Sequence, residues 1–176
     1  WLVSADLHIA NALSLRAGTF AIQDDEIHVT LGHVERAAGQ LVKSPHSSQS
    51  AYITATQSPR PENLFAQVLA ACALAEKNDL GYFTPSSVKE PLSHIMGRTY
   101  DIPAFSRHLS EFMSESRGSV LQRKGEPRKY RYRFRDPLMQ PFAIMAALSQ
   151  GLIPDNYQQE LFRVDEEIEW NEMIKS

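Results

Sequence analysis

The residues best suited to chemistry are cations crowded into one short stretch. Gly118 to Pro137 reads GSVLQRKGEPRKYRYRFRDP, and from Arg123 to Arg135 it carries seven Lys or Arg (Arg123, Lys124, Arg128, Lys129, Arg131, Arg133, Arg135) against one acid, Glu126. Several cations together displace counterions from phosphates and give a salt-dependent affinity for nucleic acid that is indifferent to base sequence. Tyr130, Tyr132 and Phe134 alternate with Arg131, Arg133 and Arg135, the period of two of a strand with one face buried. Val120 and Leu121 begin an earlier apolar strand, and Lys124-Gly125-Glu126-Pro127-Arg128 lies between the two. Gly permits an unusual φ there and Pro restricts one, which is turn chemistry. The pattern predicts a β-hairpin with Arg123, Lys124, Arg128 and Lys129 clustered at its tip, and with Arg131 and Arg133 facing away from the aromatic side.

Other chemistry has less support. The six histidines stand at 8, 28, 33, 46, 94 and 108, with no H-E-x-x-H pattern and no Cys/His cluster, so no metal is expected. The single cysteine, Cys72, lies in the apolar run VLAACALA and reads as a small core residue. With no partner for an internal disulfide, it fits a reducing, cytoplasmic compartment. No serine occupies a G-x-S-x-G turn, and carboxylates pair only within charge runs that read as solvated faces. A G-x-x-x-x-G-K-[ST] loop is absent, as is a strand ending in paired acids that would hold Mg²⁺. The expectation is a chain with no catalytic centre and no cofactor of its own.

The elements that must carry the hairpin follow from periodicity. A chain of 176 residues, 43% hydrophobic and 22% charged, has the composition of a soluble globular protein of one ordinary domain or two small ones. No apolar run approaches the ~18–20 residues of a membrane span. Residues 2–22 predict a helix with Leu2, Leu7, Ala10, Leu13, Ala17 and Phe20 on one stripe, and Thr30 caps a second helix with Val34, Ala37, Ala38 and Leu41 inward. Residues 1–44 thus make two helices, too few to bury a core alone. Residues 45–61, rich in Ser, Thr, Pro and Gln, have linker composition. Within 62–151 the expected order is a helix over 62–78, a helix capped by Thr84-Pro85 and closed by Gly97, a helix capped by Asp101, the hairpin, and a last helix after Asp136-Pro137. Phe105, Leu109, Phe112 and Met113 form the inner stripe of the third. Leu138, Phe142, Met145 and Leu148 form that of the last. Residues 152–176 form an acidic tail: Asp155 to Ser176 holds seven acids against Arg163 and Lys175, so the net charge of −3 conceals a strong asymmetry.

Three helices followed by a hairpin is the order of a winged helix-turn-helix, with the hairpin as the wing. The expected fold class is therefore mainly α: two lid-type helices followed by a winged helix with a β-hairpin wing. In such a domain the start of the third helix meets base edges, which adds Ser106, Arg107 and, in the preceding turn, Arg98 to the candidate DNA contacts. Glu111 and Glu115, farther along, are expected to repel phosphates, so contact should be led by the wing.

Three passages carry a family resemblance. Ser4-Ala5-Asp6-Leu7-His8 with Ala10 to Ala17, Val29-Thr30-Leu31-Gly32-His33-Val34-Glu35-Arg36-Ala37, and Tyr130 to Leu138 stand in that order. The chain resembles the C-terminal lid and winged-helix region of AAA+ ATPases, particularly origin-recognition proteins and bacterial ATPases with a similar tail. His8 stands where the family's lid carries a nucleotide-sensing arginine, and Arg16 is the sole arginine of that helix. The resemblance implies that the chain, which starts at Trp1, is part of a longer ATPase whose N-terminal domain binds ATP and Mg²⁺, while this part hydrolyses nothing. The implied partners are double-stranded DNA and that ATPase domain, with no membrane; an oligomer is compatible with the same reading. A protein-interaction or assembly role for the basic wing, without DNA, is the alternative.

Overall fold

The computed structural model describes residues 7–43, 47–60, 63–127 and 129–161. The first expected pair of helices lies at Leu7–Gln23 (α1) and Leu31–Lys43 (α2). Leu13, Ala17 and Phe20 meet Ala37 and Ala38 in an apolar cluster, as the periodicity requires. His33 pins the turn between them. Its Nδ1 accepts from the Thr30 backbone N–H at 3.0 Å, and its Nε2 lies 3.2 Å from Asp24 Oδ2. The imidazole thus takes the returning half of a capping box on α2 and ties it to the end of α1. Arg36 reaches the same carboxylate.

The stretch with linker composition is helical over Ser47–Thr56 (α3). Tyr52 and Ala55 are buried in the main core, and the Tyr52 ring meets Phe142 edge-on at 5.5 Å. Ser and Thr are weak helix formers, and tertiary burial overrides that weakness here. The following helix, Phe65–Leu74 (α4), is shorter than the 62–78 expected. Ala75 turns extended at ψ 142°, and Lys77 Nζ donates to the Ala73 and Ala75 carbonyls at 2.7 and 2.8 Å, satisfying acceptors that continued helix would otherwise use. Phe83 then pairs with Tyr132 in a one-residue antiparallel bridge.

Pro85–Met96 (α5) begins and ends where expected. The Thr84 hydroxyl accepts from Ser87 N at 3.2 Å, Ser87 Oγ accepts from Thr84 N at 3.1 Å, and Gly97 closes the helix at φ +64°. The helix continues through Pro91, which is buried. Ile102–Glu111 (α6) buries Phe105 and Leu109, with Phe112 just beyond. Asp101 precedes it without the expected side-chain cap; its carboxylate lies 3.1 Å from Lys89 Nζ. The hairpin comprises Leu121–Lys124 (β1) and Arg131–Phe134 (β2), antiparallel, with Leu121 opposite Phe134 and Lys124 opposite Arg131. Phe83 joins the far edge of β2. Asp136 Oδ1 accepts from Leu138 N at 3.0 Å and leads into Met139–Ser149 (α7), followed by Asp155–Leu161 (α8).

The structure is mainly helical, with eight helices and one two-stranded antiparallel sheet among the described residues. Helix α7 holds it together. A single inner stripe was expected, yet residues 141–148 are all buried, while Leu138 is only half-buried. Phe142, Ala143 and Ala146 join the core of α3 to α6 and the hairpin; Met145 joins the cluster of α1 and α2. The second half of the chain thus covers the first two helices. No helix among the described residues is long and apolar enough to cross a membrane.

Candidate nucleic-acid interface

Register decides what each hairpin cation faces. Arg123 stands opposite Tyr132, one residue before the end of β1, so at the tip it shares the aromatic face. Its guanidinium lies 4.0 Å over the Tyr130 ring, a favourable cation–π distance. Tyr132 and Phe134 are buried as expected, while Tyr130 is half-buried. Lys124, Arg131 and Arg133 fall on the opposite face. Arg133 is half-buried, 4.9 Å over the ring of Tyr82, and with the Gln122 amide oxygen turned toward it its guanidinium donates there at 2.9 Å. Lys124, Lys129, Arg131 and Arg135 are exposed. Arg128 lies outside the described residues.

The loop that carries the tip is held by backbone geometry. Lys129 N donates to Glu126 O at 2.9 Å, and Gly125 adopts φ +99° where a Cβ would come 2.7 Å from the Lys129 carbonyl oxygen. Only glycine fits without displacing backbone.

On α6, Ser106 and Arg107 are exposed. Ser106 Oγ donates to Pro103 O at 3.3 Å. Arg107 Nε donates to Glu111 Oε1 at 2.6 Å, and Arg117 Nε lies 3.7 Å from the other oxygen of Glu111. Arg98 Nε donates to the Tyr100 hydroxyl at 2.8 Å, with the guanidinium over that ring. Burial holds the His108 imidazole below its ordinary range, so it stays neutral near pH 7 and adds no cation to the helix.

Three elements meet at one groove of about 540 Å³. Thr84 and Ser86 line it from the first turn of α5, Ser106 from α6, and Lys129, Tyr130 and Arg131 from the hairpin. Of these, Ser106, Lys129 and Arg131 were expected from sequence. Thr84 and Ser86 were not among the residues named from sequence, although the Thr84-Pro85 cap that brings them to this groove was readable. Tyr82, which seats Arg133, had no sequence signal of its own.

Of the remaining candidates, Arg16 of α1 donates to Gln40 of α2 at 2.9 Å, and His8 lies within α1. Asp6, which anchors the lid-like pattern, and the acidic tail beyond Leu161 lie outside the described residues. No group of three His, Cys, Asp or Glu among the described residues is placed to hold a metal ion. No protein-family model, curated protein or solved structure matches the chain.

Proposed function

We propose that this chain is a DNA-binding module that grips the phosphate backbone of a duplex through its hairpin. The observation that carries the reading is the concentration, on one hairpin, of cations that have no carboxylate partner. Among the described residues, Arg36, Lys89, Arg107 and Arg117 pair with carboxylates, while Arg123, Lys124, Lys129, Arg131, Arg133 and Arg135 form no salt bridge; Arg16, Arg60, Lys77 and Arg98 form none either, but they are spread over separate elements, whereas the six stand together on one hairpin. Cations without internal counter-charges, gathered on one hairpin, can neutralise an external polyanion. Arg107 is paired with Glu111 and Arg98 stands alone as a cation in its turn, so the hairpin leads and α6 contributes Ser106 and the exposed edge of its first turns. The parent is read as an AAA+-type ATPase, with α1 and α2 as part of its lid.

Duplex binding followed by fluorescence anisotropy across a salt series tests this. The 176-residue chain should bind with a steep salt dependence. Replacing Arg123, Lys124, Lys129 and Arg131 together by Ala should abolish tight binding and flatten the slope by about three to four units if each contacts one phosphate. A flat anisotropy trace at low salt overturns the reading.

A protein-docking role has its own observation in a different place. Leu15 and Ile22 are exposed on one side of α1, and Ile27 and Val29 are exposed in the following turn, an apolar strip remote in sequence from the hairpin. A pull-down that depends on Leu15 and Ile22, unaffected by the hairpin substitutions, would support it.

A further inference from the structure

We propose that the acidic C-terminal segment, residues 162–176, docks within its own chain on the groove between α5, α6 and the hairpin, and competes there with DNA. The competition rests on the DNA-binding reading; the docking is tested separately from it.

The groove has two chemistries. Ile102, Leu109 and Tyr132 give it an apolar floor, and Lys129 and Arg131 give it a basic rim. A nucleic-acid backbone would use only the rim. The C-terminal segment matches both: Phe162, Val164, Ile168 and Trp170 are interspersed with Asp165, Glu166, Glu167, Glu169 and Glu172, against Arg163 and Lys175. Acids facing the unpaired hairpin cations, with aromatic and aliphatic side chains against the floor, give complementary charge and apolar contact in one segment.

The departure point also fits. Tyr157 of α8 stacks on His94 with ring centroids 4.3 Å apart, so α8 packs at the last turn of the helix whose first turn lines the groove. From His94 back to Pro85 is about 14 Å along that helix at 1.5 Å per residue. The segment after Leu161 spans up to about 50 Å when extended. Connection is therefore short relative to reach, and the local concentration of the segment at the groove is high.

The test uses the full chain with Ser176→Cys carrying a nitroxide. Cys72 is fully buried and is left unlabelled. At low salt the amide signals of Ile102, Ser106 and Lys129 to Tyr132 should broaden, and should recover at high salt or when Asp165, Glu166, Glu167, Glu169 and Glu172 are replaced by their amides. No broadening there, broadening centred on another surface, or broadening that grows with protein concentration overturns intramolecular docking. In the second arm, the five-amide variant should bind duplex DNA about five- to tenfold tighter than the parent, within the ordinary range of coupling between two sites. Equal DNA affinity refutes the competition and leaves the DNA reading standing. Broadening at the groove with no DNA binding by either protein upholds the docking and refutes the DNA reading.

Discussion

Arg107 Nε lies 2.6 Å from Glu111 Oε1, one turn along the exposed side of α6. Arg117 approaches the other oxygen at 3.7 Å. Glu111 is therefore flanked by two guanidiniums rather than standing as a bare negative charge on the face proposed to meet DNA. The same pairing withdraws Arg107 from that face. Glu111→Gln is expected to free Arg107 and raise duplex affinity severalfold at low salt. Because Arg107 is mostly exposed, the pair should contribute no more than about 1 kcal/mol to stability. Anisotropy and urea denaturation on the same variant read the two effects independently.

The tip of the hairpin depends on a backbone approach that side chains cannot tolerate. Gly125→Ala combines a positive φ with a Cβ at 2.7 Å from the Lys129 carbonyl. It is expected to destabilise by about 1–3 kcal/mol or to open the loop, because strained backbone of this kind persists only when its surroundings impose it. Urea denaturation measures the first result, and changed amide shifts confined to residues 123–131 measure the second. Unchanged stability with unchanged shifts would contradict the geometry.

Met145 carries α7 into the cluster of α1 and α2, at 2% exposure, while its neighbours Ile144 and Ala146 sit in the main core. Met145→Ala is expected to cost about 2–5 kcal/mol, the range for truncating a buried Met. Protection of α1 and α2 amides from hydrogen exchange should fall with it, while Phe105 and Leu109 on α6 retain more of theirs. A loss confined to α6 and the hairpin would place the joint elsewhere.

Lys77 gives the folded state a readable pH dependence. Burial pushes its ammonium down to about 8, with some return from the nearby Cys72, below an ordinary value of 10.5. Between pH 8 and 9 the unfolded chain keeps this proton while the folded chain loses it, so stability rises with pH across that window. Above about pH 9 Cys72 acts in the opposite direction: burial pushes its thiol up to about 12, and the unfolded chain then ionises where the folded chain does not. Urea midpoints should increase from pH 8 to 9 in the parent and stay level in Lys77→Met. An equal increase in both would assign the effect to another group.

Much of the scaffold was legible because its signals are local. The Thr84-Pro85 start and Gly97 stop of α5 are short-range chemistry, and each acts within one turn of helix. The alternation of Tyr130, Tyr132 and Phe134 with arginines marked the strand because burial on one face imposes a period of two. Residues 47–56 were misleading for the converse reason. Their helix depends on Tyr52 and Ala55 meeting a core built largely from residues far along the chain, and nothing in a Ser/Thr/Gln-rich stretch announces that contact. The all-round burial of α7 was likewise out of reach, since α2, α3 and α4, which pack against it, all approach from distant sequence.

The candidate site divides in the same way. By itself the sequence determined that cations crowd one hairpin and that its aromatic residues turn inward, since composition and period suffice for both. Only the tertiary structure decided which cations remain unpaired. Glu111 lies four residues from Arg107 but also meets Arg117; Arg98 turns to Tyr100; Arg123 shares the aromatic face because strand register places it opposite Tyr132. Charge is a property of residue type, but the availability of a charge depends on what the fold places within a few ångströms of it.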